Sequence, residues 1–372
     1  MTHPADCQAH QQGPFRTRPS GDVRPRWQQE LAQAIRSADE LLRLLDLDPG
    51  DLPQPVAAGL EFATLVPRGF VALMRRGDPH DPLLRQVLPL AAERKTVPGF
   101  VTDPVGDIDA ERTPGLLQKY AGRALLLVTG ACAVHCRYCF RRHFPYAAMG
   151  AGLDPAKGSA LGFVAGAGSD SGLAPAAQRL NAALRTLADA QDINEVILSG
   201  GDPLLLDDAA LDALITRLEA IPHLRRLRLH SRIPVLLPSR ITTDLVRRLA
   251  DSRLDAVVML HANHAAELGP EAAAALSRLA AAGIPLFNQS VLLRGVNADL
   301  QALAALSERL FALRVIPCYL HQLDRVAGSA HFEVGDTEAL ELLQALRGRL
   351  PGYLLPRLVR ELPGENGKMP VG

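Results

Sequence analysis

From residue 124 onward, six short apolar runs, at 124–129, 195–198, 226–230, 256–260, 284–288 and 315–319, alternate with longer amphipathic or Ala/Leu-rich segments. Short apolar runs separated by helix-length stretches are the pattern of β-α units, in which each crossover lays the next strand parallel to the last. Six such units predict an α/β fold built on a parallel barrel or partial barrel.

Barrels of this kind build their sites from loops at the carboxyl ends of the strands. GACAVHCRYCF (130–140) follows the first run, SGGDP (199–203) the second and HSR (230–232) the third. HANH (261–264), NQS (288–290) and HQLD (321–324) follow the fourth, fifth and sixth. All six motifs are expected at one mouth.

The first motif carries Cys132, Cys136 and Cys139 in a Cys-x3-Cys-x2-Cys spacing. Three thiolates on one short loop can hold three irons of a 4Fe-4S cluster and leave the fourth open to a small molecule. Structural zinc wants four ligands, usually in two pairs, and neither His135 nor His143 stands at a customary spacing for the fourth. An odd total of five cysteines suits a reducing compartment in which thiolates remain available to metal. Cys7, in a polar tail, and Cys318, in a strand-like run, stand apart from other ligands and read as incidental.

Forty acidic and forty basic residues leave no net charge, which argues against a nucleic-acid footprint or a membrane-surface patch and favours a small-molecule partner. No apolar run approaches the roughly 20 residues needed to span a bilayer, and the first fifteen residues lack the apolar core of a signal peptide. A cytoplasmic protein is expected.

Residues 1–22 are polar and rich in Gly, Pro and Gln, and read as a disordered leader. Residues 23–110 read as an N-terminal helical cap, with helical spacing from Trp27 to Leu45 and a second helical stretch over 56–60. The barrel is expected over 111–340, interrupted at 147–176 by a flexible insertion rich in Gly, Ala and Ser, and a C-terminal segment over 341–372 follows.

Single residues carry weaker signals. Gly200 and Gly201 would let backbone approach a ligand, although Gly-Gly-Asp-Pro is also an ordinary turn before a helix. Lys119, Tyr120 and Arg123 could together bind a phosphate or form plain surface, and Arg141, two residues beyond Cys139, suits a carboxylate or a salt bridge. Lys368, after a Gly-rich turn, suits either a Schiff-base lysine or a solvated tail. His230, Ser231, His261, Asn263, His264 and Gln289 sit at strand ends, where a shared mouth makes them candidate ligand contacts.

With Tyr138 just before the third cysteine, the cysteine motif resembles the signature of the radical S-adenosylmethionine (SAM) superfamily, in which SAM chelates the open iron. QKYAGR, CAVHCRYCFRR, SGGDPL, HSRIPVLLPSRIT, NQSVLLRGVN and PGENGK, spread from about residue 85 to 370, together resemble the lysine 2,3-aminomutase family. That resemblance implies a partial (β/α)6 radical SAM barrel and an isomerase that converts L-α-lysine to (R)-β-lysine with pyridoxal phosphate (PLP), supplied with electrons by a reducing donor. It implies that Cys132, Cys136 and Cys139 hold the cluster, and that Tyr138, Ser199, Gly200, Gly201, Asp202, Ser231, His261 and Gln289 lie around the cofactors. Lys368 corresponds to the PLP anchor, Lys119, Tyr120 and Arg123 to its phosphate site, Arg141 to the partner of the substrate carboxylate, and Glu361 to one of two carboxylates for the distal ammonium. The second carboxylate falls at Ala298, a departure that bears on substrate affinity and identity, with Asp299 one residue later as a possible substitute.

The stretches CRYCFRRHFPY and YLHQLDRVAGSAHF, and an end at Gly372, look most like the shorter branch that serves modification of elongation factor P, for which a monomer or weak homodimer is expected. The competing readings are a catabolic or other amino-acid aminomutase, and, from a different class, a non-catalytic iron-sulfur or zinc-binding scaffold.

Overall fold

A computed structural model describes residues 24–57, 59–146 and 175–372. The expected leader, Cys7 and nearly all of the expected insertion lie outside the described residues; residues 175 and 176, placed in that insertion from sequence, open a helix instead.

The central element is one open ten-stranded sheet in sequence order: β1 (Glu111–Thr113), β2 (Leu116–Tyr120), β3 (Arg123–Thr129), β4 (Glu195–Gly200), β5 (Arg226–Ser231), β6 (Asp255–Leu260), β7 (Leu286–Val291), β8 (Ile316–His321), β9 (Arg357–Arg360) and β10 (Met369–Pro370). Strands β3 to β9 pair in parallel, while β1 and β2 at one edge and β10 at the other pair antiparallel. The sheet is a partial barrel whose six predicted strands are β3 to β8.

Parallel strands are covered on both faces, and β4 is buried along its whole length. The crossovers carry α5 (Pro175–Asp189), α6 (Asp208–Glu219), α7 (Ile233–Leu236), α8 (Thr243–Ala250), α9 (Pro270–Ala281) and α10 (Leu300–Ala312), with α11 (Asp336–Arg347) between β8 and β9. In α6 the buried residues Ala210, Leu211, Leu214, Ile215 and Leu218 recur at three- and four-residue steps, so one stripe faces the sheet. Asp207 caps that helix by accepting the Ala210 N–H at 2.8 Å. Together with Leu198, Leu227 and Leu260 these side chains belong to the main core between sheet and helices.

The N-terminal region contributes α1 (Arg26–Ala32), α2 (Ala38–Leu44), α3 (Arg68–Val71) and α4 (Pro82–Arg85). The continuous helical spacing from Trp27 to Leu45 is broken between α1 and α2, where the Ile35 backbone pairs with Val66. The helix expected over 56–60 is absent among its described residues: Val56 bridges Leu90, and Ala57 N–H reaches the Pro89 carbonyl at 3.1 Å. Prolines at 53 and 55 deny that stretch the helical N–H ladder. This region has its own apolar cluster, on which Val134 and Cys136 of the cysteine loop also pack.

Two motifs expected on loops lie largely on strands: Ser231 ends β5, and Asn288, Gln289 and Ser290 lie within β7, which starts two residues later than expected. Among the described residues no helix is long and apolar enough to cross a membrane.

Candidate active site

A cavity of about 710 Å³ runs along the inner face of the sheet to the carboxyl ends of its strands. Its wall includes Cys132, Cys136, Cys139, Arg141, Lys119, Tyr120, Arg123, Tyr138, Ser199, Gly200, Gly201, Asp202, Ser231, His261, Gln289, Glu361 and Lys368. These residues therefore meet in one place, although they span 250 positions from Lys119 to Lys368.

The cysteine loop leaves β3 and is held by backbone carbonyls of the N-terminal region, with His135 N–H on Leu65 at 3.0 Å and Arg137 N–H on Gln86 at 2.9 Å. Glu93 secures it further, accepting from Arg137 at 2.9 and 2.5 Å and from Arg142 at 2.7 Å, all three side chains being buried. Both histidines weighed as zinc ligands are committed elsewhere: His135 Nδ1 lies 2.8 Å from the Ala63 carbonyl and His143 Nε2 3.1 Å from that of Ala327. No group of three His, Cys, Asp or Glu side chains among the described residues converges on a point that would hold a single ion. Burial pushes the Cys132 thiol up, and burial with the neighbouring Cys136 brings Cys139 to about 11. Such thiols ionise when a metal displaces their protons.

Gly200 and Gly201 serve close backbone contact. Gly201 N–H reaches the Thr129 carbonyl at 2.7 Å and Asp202 N–H that of Ala131 at 2.8 Å, locking the end of β4 against the cysteine loop. A Cβ on Gly201 would overlap the Ala131 carbonyl, and Gly200 sits at φ +125°, against Thr129. Asp202 receives Ser231 Oγ at 2.8 Å and the N–H groups of Arg232, Leu204 and Ile233 at 2.7, 3.1 and 3.2 Å. Burial still brings its carboxyl up to about 6. Asp202 and Ser231 thus tie the ends of β4 and β5 together.

The charged side chains form one network. Asp107 Oδ1 receives Lys119 Nζ at 2.6 Å and Oδ2 receives Arg141 Nε at 2.7 Å. Lys119 also reaches Glu361 at 3.0 Å and the Val105 carbonyl at 2.8 Å, while Lys368 Nζ reaches Glu361 at 3.1 Å. The β9–β10 pairing, with Met369 opposite Arg360, brings Glu361 and Lys368 together across the PGENG turn. Burial opposes charge on Glu361, but Lys368 and Lys119 hold its carboxyl at about 2. Asp324 behaves oppositely: burial, then the charge of Glu361, brings it up to about 7. Arg123 lies 4.6 Å from the centre of the Tyr120 ring.

Four buried polar atoms of the cavity wall have no protein partner: Tyr120 Oη, His230 Nε2, Gln289 Oε1 and His321 Nε2. An orphaned buried polar atom costs about 1–3 kcal/mol, so several on one wall mark a place for polar ligands. Burial lowers His230 and His321 well below the usual imidazole range and His261 to about 3, so the three rings are neutral. His261 Nε2 meets Gln289 Nε2 at 2.8 Å. Three thiols on one loop, a lysine beside a tyrosine ring at 5.5 Å, open arginine and neutral donors fit an iron-sulfur cluster, SAM and a phosphorylated aldehyde.

The expectation for the second carboxylate is corrected. Neither Ala298 nor Asp299 lines the cavity: Ala298 packs on the apolar cluster of Leu292 and Leu303, and Asp299 caps α10, accepting the Ala302 N–H at 2.9 Å. Asp324, the last residue of the HQLD motif, is a further carboxylate of the cavity wall and feels the charge of Glu361. Asn263 and His264 are also outside the wall; Asn263 donates to Tyr138 Oη at 2.6 Å and His264 caps a turn. Asp107 was missed because its two partners are remote in sequence, and only strand-end position singled out HQLD.

Residues 126–306 match the Radical SAM superfamily. The chain is 45% identical over 346 residues to the L-lysine 2,3-aminomutase of Escherichia coli, covering 93% of this chain and 94% of that one. It is 41% identical to that of Haemophilus influenzae, at 92% and 94%, and 33% identical to that of Clostridium subterminale, at 93% and 77%.

Proposed function

This chain belongs to the L-lysine 2,3-aminomutase family of the radical SAM superfamily, and on that premise we propose that it is an isomerase converting L-α-lysine to (R)-β-lysine with a 4Fe-4S cluster, SAM and PLP. The observation that carries the proposal is the joining of the three cysteines, Lys368, Arg141, Glu361 and Asp324 on one cavity wall.

When bound, the cluster and SAM supply a carbon-centred radical, and PLP supplies a ring over which an unpaired electron spreads. The protein positions the reacting groups and keeps competing chemistry out. Cys132, Cys136 and Cys139 would hold iron, and Lys368, displaced from Glu361, would hold the PLP aldehyde carbon. Arg123 and Tyr120 offer a cation and a phenol to the phosphate, with Lys119 beside them. Arg141, aimed by Asp107, faces the cavity as the partner of the substrate carboxylate.

Glu361, ionised and on the cavity wall with Asp324, would receive the substrate's distal ammonium. Glu361 disfavours glutamate, whose distal carboxylate would meet its charge.

We place the product in the modification of elongation factor P, on the resemblance of CRYCFRRHFPY and YLHQLDRVAGSAHF, and the chain in the cytoplasm as a monomer or weak homodimer. The test is anaerobic reconstitution with iron, sulfide, PLP, SAM, dithionite and L-lysine, followed by chromatography for β-lysine. Product that vanishes in Cys136→Ala and Lys368→Ala supports the reading. SAM cleavage with lysine unchanged would retain the radical assignment and reject the substrate.

A further inference from the structure

We propose that Arg232 is a positioning residue for the cluster, donating a hydrogen bond to Cys136 Sγ that makes the cluster easier to reduce. The inference rests on the reading of Cys132, Cys136 and Cys139 as cluster ligands.

Arg232 Nη1 lies 2.8 Å from Cys136 Sγ. Its other terminal nitrogen, Nη2, is fixed by Gln86 Oε1 at 2.7 Å and Glu267 Oε2 at 2.8 Å. The guanidinium carbon stands 5.5 Å from the Phe70 ring centre and 5.9 Å from that of Tyr138, and the backbone N–H is taken by Asp202 at 2.7 Å. Glu267 is held in turn, its Oε1 accepting from Gln86 Nε2 and from the N–H groups of Asn263 and His264 at 2.9–3.0 Å.

A guanidinium anchored on this many sides is preorganised, and the fork keeps one N–H aimed at the sulfur. The neighbouring arginines are spent differently, Arg142 on Glu93 and Arg141 on Asp107. One-electron reduction by an external low-potential donor adds a negative charge to the cluster and its thiolates and moves no proton. A buried cation hydrogen-bonded to one of those sulfurs stabilises the reduced form more than the oxidised form, so the reduction potential rises. Arg232 acts through the Cys136 sulfur, which makes its role one of positioning.

The test uses the full chain, reconstituted with iron and sulfide, as wild type, Arg232→Lys and the double variant Arg232→Gln/Glu267→Gln, which leaves no unpaired carboxylate behind. Bound iron and sulfide are measured first. EPR of the reduced cluster is then recorded at a series of poised potentials. In the double variant the ratio of reduced to oxidised cluster at a given potential is expected to fall about tenfold, the size of one charge-assisted hydrogen bond, with a smaller fall for lysine. A role confined to packing would change loading or thermal stability and leave that ratio unmoved.

Full loading with an unchanged ratio overturns this inference alone. A wild-type chain that takes up no cluster overturns it together with the reading of the cysteines. If the double variant does not load, Arg232→Lys decides: a lowered ratio supports the proposal and an equal one overturns it.

Discussion

Asp107 Oδ2 accepts from Arg141 Nε at 2.7 Å with both side chains buried, and this pair aims the guanidinium beside the cysteine loop into the cavity. Burial opposes the charge on Asp107, but Arg141 and Lys119 together hold its carboxyl below the usual range. Asp107→Asn would leave Arg141 buried with its nearest counter-charge removed. We expect an unfolding free energy lower by about 3 kcal/mol in denaturant melts of the apoprotein, together with weaker lysine binding. An unchanged denaturant midpoint would contradict this account.

Burial brings two carboxyls of the cavity wall toward neutrality, Asp202 and Asp324, and Asp324 is the one that feels the charge of Glu361. Its folded pKa of about 7 exceeds that of an ordinary carboxylate, about 3.9, so the native state keeps a proton that the unfolded chain has released. Its contribution to stability is full below pH 4 and is lost as pH rises through 7. Glu361, held at about 2, acts in the opposite sense and only in strong acid. The groups acting on Asp324 are Glu361, Lys368, Lys119 and Asp107. A substrate ammonium pairs with the ionised form, so lysine affinity for the PLP-loaded protein, where Lys368 no longer lowers Asp324, should rise with pH through neutrality by up to about tenfold per pH unit. Calorimetric binding of lysine across pH 5.5–8 would show this, and Asp324→Asn should weaken binding and flatten the profile.

Gly201→Ala places a methyl group against the backbone of Gly130 and Ala131, with no flexible side chain to yield. Loss of the Gly201–Thr129 and Asp202–Ala131 hydrogen bonds should follow, costing more than about 2 kcal/mol and displacing the cysteine loop. Iron uptake on reconstitution and thermal denaturation are the readouts; normal iron content would show that the loop tolerates the shift.

Asp299→Ala should cost about 1 kcal/mol through the lost cap of α10 and leave the KM for lysine unchanged. Ala298→Asp should destabilise the chain by placing a carboxylate against an apolar cluster, without tightening lysine binding. Tighter binding in Ala298→Asp would restore that position to the site.

Much of this is legible in the residue order. Strand-length apolar runs ended by polar motifs announced a parallel sheet and its mouth, because strand propensity, crossover handedness and loop chemistry are local or nearly so. The three cysteines, Ser199 to Asp202, Ser231, His261, Gln289 and Lys368 reached the cavity wall, whereas Asn263 and His264 turned aside to brace Tyr138 and a turn. Helix continuity failed between Gln33 and Ser37 and at 56–57, where the backbone found strand partners far along the chain and tertiary pairing outweighed local spacing.

Residue order alone placed a three-cysteine loop at the end of a parallel strand, with a lysine after a Gly-rich turn available to join it. Which charges meet depends on packing between distant elements. Asp107 pairs with Lys119 and Arg141, Asp324 rather than Ala298 shares the cavity wall with Glu361, and Arg232 reaches Cys136 across 96 positions. An ion pair forms wherever two elements pack, and sequence separation carries no information about that packing. Burial then turns the geometry into chemistry by moving Asp324 and Glu361 in opposite directions.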